Sequence, residues 1–235
     1  VDQPERGRSG HALDSGSTAP LQRYSAERVE ERFTAPGINP LWPQASTHTQ
    51  WPGAGRRGDE HFDRFFASQV EMLGDRDEIE RAARDAGAAL LDKIGPAILL
   101  THSQSGPFGW LIADARPHLV SAILALEPNG PPFAEVEFSG GDPWFAYAES
   151  VDRRYGITRI PLDFEPPLGP NESLSSSRRD GDNVAPLVPS ILQSEPARQL
   201  PKLAGIDILI ITAEASYHAP YDHCTSEFLV QAGVE

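Results

Sequence analysis

Pro96-Ala97-Ile98-Leu99-Leu100-Thr101-His102-Ser103-Gln104-Ser105-Gly106 is the stretch that decides the fold. It begins as a short apolar run and ends in small polar residues ahead of a helical pattern. Such a run, bounded by turn signals, suits a strand buried on both faces of a parallel sheet. Working outward, Asp77 to Ile94 carries apolar residues at helical spacing (Ile79, Ala82, Ala83, Ala86, Leu90, Leu91, Ile94), with Gly95 and Pro96 as the stop. Phe108 to Arg116 reads as the following helix, ended by Pro117. Val120 to Leu126 and Ile206 to Ile211 read as two further buried strands, and His223 to Ala232 as a last helix with Cys224, Phe228 and Leu229 inward. Strands alternating with helices predict an α/β class with a mostly parallel sheet flanked by helices. Arg32 to Gly58 and Pro131 to Ser194 are rich in Pro, Gly and polar residues and lack a clear period; segments of that length are expected to form a cap or lid.

Composition narrows the partners. The chain has 235 residues, 39% hydrophobic, with 34 acidic against 20 basic side chains and a net charge of −14. That balance argues against nucleic acid or an anionic membrane surface as a partner. No stretch of apolar residues is long enough for a membrane-spanning helix. The single Cys224 excludes an internal disulfide and leaves the compartment open between cytoplasmic and secreted. The start, Val1-Asp2-Gln3-Pro4, has neither the basic residues nor the apolar run of a signal peptide.

A serine between a strand and a helix has a chemical use. The helix N-terminus offers free backbone N–H groups and a positive dipole end to a developing oxyanion, and the tight turn lifts the hydroxyl clear of the sheet. The turn wants small residues two positions either side of the serine. Around Ser103 these are Thr101 and Ser105; around Ser105 they are Ser103 and Pro107, a poorer fit. Ser103 is therefore the candidate nucleophile, with the Gln104 backbone N–H as an oxyanion donor. The plain alternative is a polar turn that caps the next helix. A serine nucleophile needs a base, and the base an orienting carboxylate. Glu127 ends the next predicted strand, on the edge where a parallel sheet collects its ligand site. Glu214, just after the third strand, is its rival. In chain order the base follows the acid, leaving His218 and His223. His223 opens a helix, where it packs or caps; His218 lies in a loop that could reach a crevice but has no further strand before it. His102 reads as structural, and His11, His48, His61 and His118 as surface or cap residues.

At these residues a resemblance enters. Thr101-His102-Ser103-Gln104-Ser105-Gly106 followed by Ala125-Leu126-Glu127-Pro128-Asn129-Gly130 resembles the α/β-hydrolase fold, and within it a group of microbial esterases with a His-Ser-Gln-Ser-Gly elbow. The resemblance implies Glu127 as the acid, since the group carries a Glu-Pro after the strand following the elbow; the 24-residue separation of Ser103 and Glu127 fits that pattern. Val1 to Ser9 resembles the Asp-x-x-Gly-x-Gly-x-Ser turn of these enzymes, with Glu5 where Gly is usual. Their catalytic histidine follows one more strand, in a Gly/His-rich loop, and a second oxyanion donor comes from a loop upstream of Val1. The resemblance therefore implies an internal fragment: a single, partial α/β-hydrolase domain over 1–235, lacking N-terminal strands and the last strand and helix, with cap-like segments at about 32–60 and 131–194.

The expectation is a serine carboxylester hydrolase acting on a small-molecule ester, with no metal or organic cofactor implied and the oligomeric state open. Trp144, Phe145, Tyr147 and Phe164, with Trp42 and Trp51, are candidates for an apolar cap over the acyl site; ordinary core packing is their alternative. The competing class is a non-catalytic binding or interaction protein on a truncated hydrolase scaffold. Lactone or amide hydrolysis would share the same nucleophile and oxyanion needs.

Overall fold

Asp75 and Gly95 bracket the longest helix by local chemistry. The Asp75 side chain accepts from the Glu78 N–H, and Gly95 ends the helix at φ 85°, a value that favours glycine. In this computed structural model, residues 2–4, 6, 9, 20–148, 153–179 and 187–234 are described. In chain order the elements are β1 (Leu21–Gln22), α1 (Ala26–Val29) running into a π turn (Glu30–Thr34), α2 (Glu60–Ala67), β2 (Met72–Leu73), α3 (Arg76–Ile94), β3 (Ala97–His102), α4 (Gly106–Ala115), β4 (Val120–Leu126), β5 (Glu135–Phe138), β6 (Phe145–Ala148), β7 (Ser176–Arg178), β8 (Ile191–Gln193), β9 (Asp207–Ile211) and α5 (Asp222–Gln231).

The centre is a parallel sheet in the order β3-β4-β9. His102, Leu126 and Ile211 are register partners across it, so the three strands end level and Ser103, Glu127 and Thr212 follow on one edge. That edge is where parallel sheets build sites. Helix α4 lies on one face of β3 and β4. Gly109 permits the close approach, since a Cβ there would stand 3.0 Å from Thr101 Cγ2. Leu99, Ile123, Ala125, Ile208 and Ile210 join the core on this side, with Trp110 and Leu111 of α4 and Phe228 and Leu229 of α5.

Burial on both faces of the strands is not what the structure shows. Ile98, Leu100, Leu209 and Ile211, on the opposite face, are 63%, 65%, 54% and 43% exposed. The strands read as wholly apolar because one register set packs under α4 and the other set is also apolar. In α3 the same correction applies: Leu90 and Ile94, included in the apolar spacing, are exposed, while Ile79, Ala83, Ala88 and Leu91 are buried.

The 131–194 segment holds more order than its composition suggests. β5 and β6 form an antiparallel hairpin, and β7 pairs with β8. Phe133, Ile157, Ile160, Leu162, Phe164 and Leu192 join the sheet's own core. Gly156, at φ 77°, meets the Phe228 ring so closely that a Cβ would stand 2.3 Å from it. Glu80 of α3 holds this segment in place: its buried carboxylate accepts from the N–H of Arg159 at 2.8 Å and of Ile160 at 3.1 Å.

Candidate functional site

Ser103 follows β3 and begins a short 3-10 turn that leads into α4. Its φ is 51°, a left-handed conformation unusual for a residue with a side chain, and Glu127 after β4 repeats it at 46°. The two strained turns touch. The Ser103 carbonyl accepts from the Asn129 N–H at 2.9 Å, and the Glu127 N–H donates to the Ile211 carbonyl at 2.8 Å. Gly106 makes the approach possible, because a Cβ there would stand 2.7 Å from Pro128 Cβ and 2.9 Å from Asn129 N.

Ser105 is committed to the turn. Its hydroxyl accepts from the His102 N–H and donates to the His102 carbonyl, each at 2.9 Å. Ser103 and Gln104 instead line a cavity of about 450 Å³ at the strand ends. Tyr217 lines the same cavity; burial pushes its phenol up, and the nearby Ser103 hydroxyl draws it back down. The Gln104 side chain accepts from Arg6 and donates to Met72 Sδ at 3.5 Å.

Glu127 is partly buried, with its side chain 19% exposed. One carboxylate oxygen accepts from the Ala213 N–H at 3.1 Å, and the other lies 3.9 Å from His102 Nε2, an ion-pair distance rather than a hydrogen bond. Burial pushes the Glu127 carboxyl up, but His102, the Ala213 N–H and the charge of His218 together hold it below the usual carboxylate range. Its partner His102 is raised above the ordinary imidazole value by Glu127. His102 thus faces Glu127 from an exposed position and is not packed into surrounding structure, because the strand alternation puts it on the open face of the sheet with Ile98 and Leu100. Glu214, the rival acid, is exposed.

No imidazole among the described residues touches the Ser103 hydroxyl. His218 is 1% exposed and its Nδ1 is 3.1 Å from Asp222, whose other oxygen accepts from Thr212 Oγ1 at 2.6 Å. Burial raises the Asp222 carboxyl above its ordinary value, against the pull of His218 and Thr212. This network, buried at His218 and Asp222, ties together the two ends of the 212–222 loop that carries Tyr217. His223 lies in the first turn of α5 and borders a separate groove beside β9. His11 lies outside the described residues, as do Val1, Glu5, Gly7 and Arg8 of the Val1–Ser9 turn; within that turn Arg6 and Ser9 form an isolated antiparallel bridge. Among the described residues, no group of three or more His, Cys, Asp or Glu is placed to hold a metal ion.

An aromatic cluster roofs the cavity. Tyr217 packs edge-on against Phe33 at 6.0 Å, Trp42 at 5.9 Å and Phe138 at 6.2 Å between ring centroids. Trp42 is buried and donates Nε1–H to the Ala215 carbonyl at 3.1 Å. Of the expected cap aromatics, Trp42 and Phe145 belong to this cluster, Trp51 packs on Phe65 instead, and Phe164 is core. Sequence reasoning passed over the cavity's arginines: Arg28, Arg32, Arg76 and Arg159 all line it. Arg28 and Arg32 could have been found from their spacing of four in Tyr24-Ser25-Ala26-Glu27-Arg28-Val29-Glu30-Glu31-Arg32, which puts them on one helical face. Arg159 carried no such signal.

No family model matches the chain, and no solved structure does. The chain is similar to a curated protein described as "Probable secreted lipase phiG", from Fungal sp. (strain ATCC 74256). The two are 43% identical over 245 aligned residues, which take in all of this chain and 61% of the relative, so the chain spans less than two thirds of the relative's length.

Proposed function

We propose that this chain carries the nucleophile and acid of a serine carboxylester hydrolase, an esterase or lipase of the α/β-hydrolase kind. The observation that carries the reading is Ser103, held at φ 51° between β3 and α4 with its hydroxyl on the cavity. The relative's name, a probable secreted lipase, supports the same class and a secreted location. No helix among the described residues is long and apolar enough to cross a membrane.

In this mechanism Ser103 Oγ attacks the ester carbonyl carbon while a histidine takes its proton. The oxyanion of the tetrahedral intermediate rests on the Gln104 backbone N–H and a second donor. Collapse expels the alcohol, which takes the proton from the imidazolium. Water, deprotonated by the same histidine, then attacks the acyl-Ser103 ester and releases the acid. Glu127 orients the histidine and stabilises its charge. Among the described residues no imidazole hydrogen-bonds Ser103, so this reading requires a histidine that those residues do not supply. A non-catalytic binding protein is the competing reading.

The test is active-site labelling of the full-length natural protein with a fluorophosphonate, read by intact mass, beside Ser103→Ala and Ser105→Ala. One adduct on the native protein and on Ser105→Ala, with none on Ser103→Ala, supports the assignment. An adduct that survives Ser103→Ala overturns it. A folded native protein that takes no adduct favours the binding reading.

A further inference from the structure

The cavity that holds Ser103 is basic, although the chain is acidic overall at −14. Among the described residues, four guanidiniums (Arg28, Arg32, Arg76, Arg159) and one carboxylate (Glu135) line it. Glu135 is already matched by Arg153 at 3.0 Å and Arg159 at 3.1 Å. Among the described residues, no carboxylate forms an ion pair with Arg28, Arg32 or Arg76.

Arg32 is the focus. It sits in the π turn that follows α1, a rare backbone form that tends to mark functional positions. Its guanidinium lies over the Phe138 ring at 4.3 Å and the Tyr217 ring at 5.2 Å. Ring faces attract the cation but leave its in-plane donors unused. Its Nε is buried and has no hydrogen-bond partner. An orphaned charged donor of this kind is costly unless something answers it. Burial, and then the charge of Arg28, pull the guanidinium below its ordinary value, while Tyr217, Tyr221 and Glu31 act the other way. Arg76 occupies the first turn of α3, where the helix dipole opposes a cation, so its place is not explained by the stability of that helix. Tyr217 joins the two halves of the cavity: its ring meets Arg32, and it lines the same wall as Ser103.

We propose that the ester taken by this site carries a carboxylate, seated on Arg32 with Arg28 and Arg76, while its ester carbonyl faces Ser103. The substrate class is thus the half-ester of a dicarboxylic acid, or a hydroxy acid acylated on its hydroxyl with the carboxylate free, rather than a neutral long-chain ester. The assignment of an ester rests on the function proposed above; the preference for an anion rests on the arginines alone.

The two are separated by measuring binding apart from turnover. Calorimetric titration of this chain with monoethyl succinate and with neutral diethyl succinate reads the anion preference. The half-ester binds about 10-fold or more tightly than the diester, as expected of charge-assisted hydrogen bonds. Arg32→Gln removes most of that difference and leaves diester binding within about 2-fold. Arg28→Gln, on an exposed position of α1, reduces it in the same direction and covers the case in which Arg32→Gln fails to fold. Equal binding of the two ligands, or a half-ester affinity unmoved by either variant in folded protein, overturns the proposal. Hydrolysis of 4-nitrophenyl acetate by the full-length protein reads the esterase assignment separately. Half-ester selectivity without hydrolysis would sink the catalytic reading and leave the anion site standing.

Discussion

Gly106→Ala tests whether the two halves of the site are held together by one close contact. The residue has φ −50° and ψ −56°, so an alanine suits its backbone and the cost must come from the added methyl alone. That methyl would lie 2.7 Å from Pro128 Cβ and 2.9 Å from Asn129 N, and neither is a flexible side-chain end that can swing away. The Ser103 turn and the Glu127 loop must separate by roughly 0.5–0.7 Å to reach the 3.4 Å of ordinary contact, because a close-packed interior has no slack to absorb it. The 2.9 Å bond from Asn129 N–H to the Ser103 carbonyl stretches by a similar amount. Overpacking of this kind costs about 1–3 kcal/mol. Better helix propensity returns up to about 1 kcal/mol. The net loss lies between about 0 and 3 kcal/mol, which for a chain of this size lowers Tm by up to roughly 12 °C. The effect on chemistry is larger, since a misplacement near 1 Å can cost on the order of 100-fold. Fluorophosphonate labelling of Ser103 in the full-length protein should therefore slow by about 10-fold or more. Gly205→Ala is the control: its methyl meets nothing within 4 Å, so it should shift stability by no more than about 0.5 kcal/mol. A Gly106→Ala protein that melts and labels like the native one would falsify the claim that this contact sets the spacing of Ser103 and Glu127.

Two further predictions rest on buried and paired charges. Glu80→Ala orphans two backbone N–H groups, those of Arg159 and Ile160, at about 1–3 kcal/mol each, so denaturant unfolding should show a loss of about 2–6 kcal/mol. Glu80→Gln keeps an acceptor and removes a charge. Because burial raises the folded-state value of this carboxyl, its contribution is complete below the ordinary carboxylate range and declines as pH rises through the raised value. At neutral pH Glu80→Gln should thus fall far short of the alanine loss; equal losses for both variants would show that the acceptor geometry is not what matters. Separately, an NMR titration should place His102 above the ordinary value of about 6.5, and Glu127→Gln should return it there. The histidine half of this pair stabilises below about pH 6.5 and fades as pH rises through the raised value; the glutamate half, held low, stabilises above about pH 4.3 and fades on acidification. The pair is strongest between those limits, and a His102 titration indifferent to Glu127→Gln rules it out.

The α/β alternation was legible because each buried strand and each bracketed helix carries its own local signal. Val120–Leu126 is a strand in sequence and in structure, and Asp75 and Gly95 mark α3 to within a residue or two of its predicted ends. The two hairpins inside 131–194 were not legible. Glu135–Phe138 and Phe145–Ala148 are four residues each, too short for alternation to stand out from the surrounding Pro and Gly. Leu100 and Leu209 illustrate a different failure. Apolar character says that a side chain favours burial, but only the packed structure says which face of the sheet receives a helix.

The site divides in the same way. Ser103, Gln104 and Glu127 were visible because each sits where a strand meets a turn, a boundary that sequence encodes within a few residues. Arg32, Arg159 and Tyr217 lie far apart in the chain and become one wall only when α1 with its π turn, the 153–160 segment and the 212–222 loop converge on the strand ends. That convergence depends on groups with no motif: the Glu80 carboxylate under the Arg159 and Ile160 amides, the His218–Asp222–Thr212 network beneath Tyr217, and Trp42 bonded to Ala215. On the proposed reading the elbow supplies the chemistry, while these contacts shape the cavity that receives the substrate. If chemistry and selectivity are carried by different parts of the chain in this way, a variant such as Arg32→Gln should alter selectivity while leaving the Ser103 turn intact.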